Sequence, residues 1–418
     1  MQIAKKMVYQ LPITRTETPQ TDRDLTTLVA EAYADQIAVY PLGGGTSIDF
    51  GPLPKAKGWA IELTALNQVV DYPYDDMTIT VGSGIRMSEL SAMLEEHDQQ
   101  LPMDVPLTEQ ATLGGVLATN FSGPRRYGYG TGRDYVIGIS AVDGRGQLFS
   151  GGGRVVKNVA GYDFCKLLIG SLGTVGIITE VTLKLKPKVQ HFQWLACGLD
   201  NFIIVEQLLN QLGTSGAHPV AIELLTGPAW ENHPHLAQLN GMAYLLVGFE
   251  GSDEEVDWMF KTLTDEYRSL GVSQCQRINN STAAELLRDV TNFPSVAAPL
   301  VVQIGVVASG TLSIVEAVQR LDSGASIAAR AGNGVIIVRF SETISMSLSD
   351  LVVGSLRPLA KAHQGHLTVL SNADPADLTL QAAWGGGGKS WSIMSDIKRQ
   401  FDPHNILNPG RLFVRENQ

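Results

Sequence analysis

The chain contains 418 residues, of which 44% are hydrophobic and 17% are charged. Single domains cluster near about 100–150 residues, so this length predicts two or three compact units, and the hydrophobic content excludes a disordered or collagen-like protein. The formal net charge of −11, from 31 basic and 42 acidic residues, makes nucleic acid and anionic membrane surfaces poor partners. The charged fraction lies below the roughly 25% of typical soluble proteins, which favours a surface buried against another subunit.

The cysteines and the apolar segments predict a cellular location. Cys165, Cys197 and Cys275 are far apart in the chain and form no C-x-x-C pair, so we expect neither a disulfide framework nor an iron–sulfur cluster. The first ten residues contain no apolar run typical of a signal peptide, and the apolar stretch at 296–307 is too short to span a bilayer. The prediction is a cytoplasmic protein with no transmembrane segment, peripheral at the inner membrane only through partners.

Glycine divides the first half of the chain into short elements, since most of the excess among the 43 glycines lies before residue 180. Short strands are expected near residues 37–40, 59–63, 68–72, 77–81, 135–142 and 177–185. Helices are expected near 88–97 and 111–120, the second of them at a glycine-bearing turn. The last of these strands stops at Pro187, so the first domain is predicted to end at residue 188.

Longer elements follow residue 190. Strands are expected near 243–249, 300–307 and 335–340, with helical patterns near 253–270 and 312–321. This alternation is typical of an α+β domain with helices on one face of a sheet. Near the end, the segment FDPHNILNPGR at 401–411 has turn signals that indicate a fixed, non-helical ending. The predicted domains are therefore 1–188, a second domain at 190–345, and a C-terminal segment at 346–418 that returns to the first.

Two glycine-rich loops have the composition of a phosphate site. Glycine lacks Cβ, so its amide can approach a phosphate closely, and neighbouring hydroxyls add donors. The first loop follows a strand and consists of Gly43, Gly44, Gly45, Thr46 and Ser47. In the second loop Thr112 can cap a short helix that begins at Gly114 and directs free amides at an anion; its other candidates are Gly115, Thr119, Asn120 and Ser122. Either loop alone is typical of an ordinary turn, but together they can bracket a pyrophosphate.

A third glycine-bearing element, GSLGTVGIITE at 170–180, precedes a buried strand. Its glycines leave the backbone of Ile177 and Ile178 accessible to a flat ligand such as adenine. Taken in order, the three elements resemble the FAD-binding domain of the vanillyl-alcohol oxidase or para-cresol methylhydroxylase (PCMH) type. The ending at 401–411 is similar to the C-terminal signature of FAD-linked oxidases of 2-hydroxy acids. The runs VVKNVAGYD at 155–163 and GYGTGRD at 128–134 resemble the FAD-binding E subunits of bacterial glycolate oxidases.

The resemblance implies an α+β fold with a PCMH-type FAD-binding domain of two small α+β subdomains and a ferredoxin-like cap. It implies that Asn408 and Arg411 lie towards the ring end of the FAD, and that the candidates of both loops, with Ile177, line the rest. The FAD is expected to be noncovalent, because the first loop has no His and no Cys joins the loops. The implied partners are a catalytic flavoprotein subunit and an iron–sulfur subunit, with a small 2-hydroxy acid as substrate of the complex.

The chain departs from the family's pattern at the metal motif. Members that oxidise 2-hydroxy acids carry an H-x-x-G-D-G-N-x-H run, whereas the most similar segment of this chain is AHQGHL at 362–367. Because the Asp, the Asn and the distal His are missing, His363 and His366 are expected to be surface residues and no metal site is predicted. A P-loop-like run at 383–390 lacks a preceding strand, so no ATP site is expected there. The dinucleotide-like turn at 81–87 has Met87 in place of its third glycine, so a Rossmann fold is not expected.

These inferences predict a FAD-binding flavoprotein subunit of a glycolate oxidase or dehydrogenase complex, with a role in electron transfer. No catalytic residue is assigned, and Arg125 and Arg126 are expected either to face the flavin or to form structural salt bridges. Two alternatives stay open. The chain could be a self-sufficient FAD-dependent oxidoreductase of a 2-hydroxy acid or an alcohol, or a structural subunit whose flavin is vestigial.

Overall fold

The structure of the chain, a computed structural model, describes residues 11–153, 162–343, 346–374, 378–386 and 389–412. The chain divides into two compact units. The first unit comprises Met1–Ser122, Thr131–Lys188 and Gly386–Gln418, and the second comprises Gly123–Gly130 and Val189–Gly385. Residues 154–161, which include Lys157 and most of the VVKNVAGYD run, lie outside the described residues.

The first unit is built on two main sheets. A three-stranded parallel sheet has the order β1-β3-β2, and a five-stranded antiparallel sheet has the order β4-β5-β9-β7-β8, while β6 and β10 form a separate pair. The strands are β1 Ile13–Glu17, β2 Ala38–Leu42, β3 Gly58–Glu62, β4 Val69–Asp71, β5 Thr78–Gly82, β6 Gln99–Gln100, β7 Val136–Val142, β8 Leu148–Gly152, β9 Ile177–Lys184 and β10 Lys186–Pro187.

Helices pack on these sheets. They are α1 Asp22–Ala34, α2 Met87–Glu95, α3 Leu113–Thr119, α5 Gly132–Tyr135, α6 Phe164–Leu168 and α14 Lys389–Phe401. Helix α1 begins at a capping box in which Thr21 and Asp24 satisfy each other's backbone amides. Its buried Leu25 and Val29 share a core with Ile61 of β3 and with Leu407 of the C-terminal segment. The end of the chain is thus part of the core of the first unit.

The second unit contains an eight-stranded antiparallel sheet with the order β14-β11-β13-β12-β16-β17-β15-β18. Its strands are β11 His191–Leu199, β12 Ala221–Thr226, β13 Ala243–Gly251, β14 Cys275–Ile278, β15 Leu300–Gly305, β16 Ser326–Arg330, β17 Val335–Arg339 and β18 His366–Asn372. The helices are α4 Arg126–Tyr129, α7 Phe202–Leu212, α8 Pro228–Glu231, α9 Asp253–Ser269, α10 Asn280–Asn292, α11 Thr311–Leu321, α12 Arg357–Ala362 and α13 Leu380–Trp384, with a π-helix at Ser349–Leu356.

One face of this sheet carries the core of the second unit. Apolar residues of α7, α9 and α11 pack against alternate residues of the strands in a single buried cluster. Helix α9 is an example of this packing. It begins at a capping box of Ser252 and Glu255, and Val256, Met259 and Leu263 lie on one buried face. Strands, helices and their mixed order confirm the α+β class.

The second unit runs to Gly385, beyond the predicted boundary at residue 345. The physical reason is β18, which pairs with β15 from Leu300 to Gly305 and so extends the sheet. The short segment Gly123–Gly130 also belongs to the second unit, since Arg125 forms an ion pair with Glu250 at 2.8 Å. Of the predicted C-terminal segment, the part from Gly386 onward belongs to the first unit.

Candidate functional site

Two adjoining hollows in the first unit form one cleft. The larger has a cavity volume of about 120 Å³ and the smaller about 70 Å³, and both open to solvent. Their shared lining is Pro41, Gly43, Thr112, Gly115, Ala118, Leu172 and Asn408. The cleft therefore joins the two predicted loops, the third glycine-bearing element and the C-terminal segment.

Most of the residues predicted from sequence line this cleft. They are Gly43, Gly44, Gly45, Thr46, Ser47, Thr112, Gly114, Gly115, Thr119, Ile177, Asn408 and Arg411. Asn120 and Ser122 are outside the lining of both hollows. Sequence reasoning missed Leu172 and Ser83, which also line the cleft. No local signal marks Ser83, because the run at 81–87 that contains it resembles only a dinucleotide turn and the contacts of Ser83 are to Gly114 and Ile178.

The first loop is made of glycine because the backbone around it is crowded. A Cβ on Gly43 would lie 2.1 Å from Thr112 Oγ1, and one on Gly44 would lie 1.6 Å from the carbonyl oxygen of Gln110. Gly45 has φ +70°, a conformation that side-chain-bearing residues rarely adopt. The backbone amides of residues 43–47 donate no hydrogen bond to any residue that the structure describes. This loop therefore offers a run of unused donors at the wall of the larger hollow.

The second loop differs in detail from the prediction. Helix α3 begins at Leu113, and the Thr112 side chain makes no capping hydrogen bond. The amide of Gly114 is not free, because it donates to the Ser83 carbonyl at 2.8 Å. Gly115 is different: the nearest atom to a Cβ there would be Thr112 Oγ1 at 3.3 Å, and its amide has no partner among the described residues. Both glycines line the cleft, but only the amide of Gly115 is available to a ligand there.

Two buried polar atoms near the cleft lack hydrogen-bond partners in the described part of the chain. They are Asn120 Oδ1 and Ser171 Oγ. Asn120 ends helix α3 in the left-handed conformation. The third glycine-bearing element packs there, since the amides of Gly170 and Leu172 donate hydrogen bonds to the carbonyls of Leu117 and Ala118. Buried polar atoms are normally paired, so an unpaired acceptor and hydroxyl beside a polar cleft fit a bound polar group.

The C-terminal segment closes one side of the cleft. Its backbone pairs with β2, since the Val39 amide donates to Ile406 at 2.7 Å and the Asn408 amide donates to Val39 at 2.9 Å. The Asn408 side chain donates to the Leu172 carbonyl at 2.8 Å. Arg411 is buried and donates to the carbonyl of Phe50 at 3.2 Å. The segment is thereby fixed to both the first loop's strand and the third element.

The guanidinium of Arg411 brings buried positive charge to the cleft. Burial lowers the pKa of Arg411 to about 10, an effect that Asp49 and Tyr40 oppose. Burial in turn raises the pKa of the Asp49 carboxyl, and the charge of Arg411 partly offsets that rise. A buried guanidinium at the wall of a cleft favours an anionic or electron-rich ligand.

A buried ion pair anchors the same segment. Lys398 of α14 pairs with Asp402 and donates to the carbonyls of Thr174 at 2.7 Å and Leu407 at 2.9 Å. Asp402 accepts from the amides of Ile406 at 2.9 Å and Leu407 at 2.7 Å. Both charges are thus hydrogen-bonded, which is the condition for burying them without a large penalty.

The two histidines of the metal-motif region lie away from the cleft residues in the chain. His363 lies against Gly310 and His366 against Gly305, both in the second unit. Within the described residues there is no group of three or more His, Cys, Asp or Glu side chains placed to hold a metal ion. Arg133 donates a hydrogen bond to the Ile169 carbonyl at 3.2 Å. Among the described helices, none is both long and apolar enough to cross a membrane.

Comparisons with known proteins agree with this geometry. Residues 15–152 match the FAD binding domain family, and residues 382–412 match the C-terminal domain of FAD linked oxidases. The glycolate oxidase subunit GlcD of Bacillus subtilis is 24% identical over 417 residues, which cover 95% of this chain and 88% of that protein. The Escherichia coli glycolate oxidase subunit GlcE is 37% identical over 161 residues, which cover 38% of this chain and 45% of that protein.

A solved structure shows the same fold. Alkyldihydroxyacetonephosphate synthase superposes with a TM-score of 0.68 at 19% identity, covering 95% of this chain and 75% of that one. The cleft and the matched domains define the chain as a FAD-dependent oxidoreductase with FAD as its cofactor. The two matched domains confirm FAD as the predicted cofactor, and the superposition confirms the predicted α+β fold.

Proposed function

We propose that this chain is the FAD-binding flavoprotein subunit of a glycolate oxidase type complex, in which it takes part in the oxidation of a small 2-hydroxy acid. The observation that carries the proposal is the cleft itself, where two glycine loops, a third element and the C-terminal segment meet. Similarity to two different subunits named for glycolate oxidase supports the substrate class and membership of a complex.

The residues present fit FAD. The unused amides of residues 43–47 and of Gly115 suit the pyrophosphate. The Ile177 and Ile178 backbone at the smaller hollow suits the adenine. Asn408 and Arg411 are assigned to the ring end. Bound FAD supplies the electron acceptor for oxidation of the carbon that carries the substrate hydroxyl.

The chain's own residues bind and orient. The glycines of the first loop keep the backbone close enough to Thr112 for both loops to face one ligand. Asn408 holds the C-terminal segment against Leu172, so the wall of the cleft is preorganised rather than assembled on binding. Arg411 keeps a positive charge at that wall, which favours negative charge on a bound ligand.

We propose noncovalent attachment, since the residues that line the two hollows include no Cys and no His. The test is acid precipitation of the purified chain. Intact FAD in the supernatant is the expected result, and flavin that stays with the precipitated chain contradicts noncovalent binding.

Membership of a complex is tested by co-expression with a catalytic flavoprotein subunit and an iron–sulfur subunit. The proposal expects all three to co-purify and expects the protein to be cytoplasmic, or peripheral at the membrane only when the partners are present. The alternative of a self-sufficient oxidoreductase has one specific support, the similarity to the D-2-hydroxyglutarate dehydrogenase of Xanthomonas citri, whose name marks no subunit and which is 26% identical over 94% of this chain. A folded, FAD-loaded chain that fails to co-purify favours that alternative. A folded chain that takes up no FAD favours the vestigial structural subunit.

A further inference from the structure

Two of the three cysteines face each other across neighbouring strands of the second unit. Cys197 of β11 and Cys275 of β14 are directly opposed in the antiparallel pairing. The Gly198 amide donates to the Gln274 carbonyl at 3.3 Å, so that adjacent pair is the hydrogen-bonded one. Hydrogen-bonded and non-hydrogen-bonded pairs alternate, which makes Cys197 and Cys275 a non-hydrogen-bonded pair.

The position suits a disulfide. Opposed residues in a non-hydrogen-bonded pair have Cα atoms about 4.5 Å apart and side chains close together. A disulfide forms across Cα separations of roughly 4.4–6.8 Å, so the bond needs little backbone movement. The two cysteines are free, and their thiols are within hydrogen-bonding contact. The sequence hid this pairing, because it depends on the register of two strands far apart in the chain.

The two thiols differ in surroundings. Cys197 lies fully inside the apolar core, while Cys275 packs at its margin and is only partly buried. The hydrogen bond from Cys197 lowers the pKa of the Cys275 thiol, and the same bond together with burial raises the pKa of the Cys197 thiol. Cys275 is therefore the less buried and the more readily ionised of the two thiols, and Cys197 is its buried neighbour.

We propose that Cys197 and Cys275 are a thiol oxidation site that forms a reversible disulfide when the protein meets a peroxide. The Cys275 sulfur attacks a peroxide oxygen, the O–O bond breaks, and a sulfenic acid and one water form. The Cys197 sulfur then attacks the Cys275 sulfur, the S–O bond breaks, and a second water leaves as the S–S bond forms. Two thiols are oxidised and one hydrogen peroxide is reduced to two waters, so the step balances.

The bond would act on the edge of the sheet. Strand β14 is terminal, and its neighbour in the sheet is β11. A terminal strand has one hydrogen-bonded edge and separates more readily than an interior strand. The disulfide would tie β14 to β11 covalently under oxidation and release it under reduction.

Cys165 provides a matched control in the same chain. It is a buried cysteine of α6 in the first unit, and burial raises the pKa of its thiol to about 11. Its sulfur lies 3.9 Å from the Gly151 carbonyl, and it has no cysteine opposite it. The proposal therefore predicts that Cys165 stays reduced under the conditions that link the other two.

The experiment treats the full FAD-loaded chain with a small excess of hydrogen peroxide, blocks free thiols, and maps peptides by mass spectrometry without reduction. The expected result is one cross-linked peptide pair joining Cys197 to Cys275, two hydrogens lighter than the free peptides and lost on adding dithiothreitol. Cys165→Ser should still form it, and Cys197→Ala and Cys275→Ser should not. The unsubstituted chain decides the matter even where a variant fails to fold. Cys275 oxidised to sulfinic acid beside a free Cys197, or a link through Cys165, overturns the proposal.

Discussion

The side-chain amide of Asn408 donates a hydrogen bond of 2.8 Å to the backbone carbonyl of Leu172. One bond thereby joins the C-terminal segment to the third glycine-bearing element, and both residues line the cleft. Asn408 has φ +41°, in the left-handed region that asparagine tolerates better than most residues. Its conformation and its contact both make it a structural support of the cleft wall.

Replacing Asn408 by alanine should weaken FAD binding. The change removes the hydrogen bond to Leu172, so the side chain at 408 no longer holds the C-terminal segment at the wall of the cleft. We expect the Kd for FAD to rise about tenfold, or about 1.4 kcal/mol. Equilibrium titration of the apo chain with FAD measures this. Asn372→Ala is the matched control, because Asn372 also donates to a backbone carbonyl, that of Asp374, but lies in the second unit. Equal effects of the two variants would refute the role of Asn408.

Replacing Gly115 by valine should empty the site without unfolding the chain. A Cβ at this position meets only Thr112 Oγ1, at 3.3 Å, so the added branches project into the cleft. We expect flavin absorbance per chain to drop at least about tenfold while the apo chain keeps its melting temperature. Gly114→Val is the contrast, because its Cβ would lie 2.8 Å from Ser83 Cβ and should damage folding itself. Full FAD occupancy in Gly115→Val would show that the second loop is placed wrongly.

Replacing Lys398 by methionine should strongly destabilise the first unit. The change leaves the Asp402 carboxylate buried without its counter-ion, which typically costs about 3–5 kcal/mol. Denaturant unfolding followed by circular dichroism measures the loss. The double variant Lys398→Met with Asp402→Asn should recover part of it, because the uncompensated charge is gone. A single variant as stable as the unsubstituted chain would mean that the pair does not anchor the C-terminal segment.

Glu250 provides a prediction for the second unit. Its carboxylate is buried, accepts a hydrogen bond from Tyr129, and pairs with Arg125 at 2.8 Å. Glu250→Gln keeps the size but removes the charge, and we expect a loss of about 2 kcal/mol in the free energy of unfolding.

The control for Glu250→Gln is Asp265→Asn. Asp265 pairs with Arg268 at 2.8 Å, but both side chains are exposed. An exposed pair of this kind contributes about 0–1 kcal/mol, so this variant should be close to neutral. Similar losses in the two variants would show that burial does not strengthen the Glu250 pair.

Local patterns explain what the sequence could predict. Gly43, Gly44 and Gly45 could be predicted as a binding loop because they are consecutive residues directly after a strand. The crowded backbone around Gly43 and Gly44 leaves no room for a Cβ, so the requirement for glycine is visible in the sequence itself. Six of the ten described strands of the first unit were also predicted from short apolar runs, within one or two residues of their observed ends, whereas β1, β6, β8 and β10 were not. Asn408 and Arg411 were assigned only through resemblance to a family, since nothing local connects residue 408 to residue 172.

Long-range contacts explain what the sequence could not predict. Ser83 donates to the Ile178 carbonyl at 2.6 Å and accepts from Gly114, which no local pattern of the run at 81–87 reveals. The extension of the second unit to Gly385 depends on β18 pairing with β15. Registers of distant strands are set by tertiary packing, and the same limit hid the opposition of Cys197 and Cys275.

The most direct test of the central claim is the anaerobic absorption spectrum of the FAD-loaded chain before and after addition of glycolate. The account predicts an oxidised flavin spectrum that glycolate leaves almost unchanged in the isolated chain, and bleaching of the flavin once the catalytic and iron–sulfur subunits are present. Rapid and complete bleaching by glycolate in the isolated chain would contradict the subunit role and establish a self-sufficient oxidoreductase.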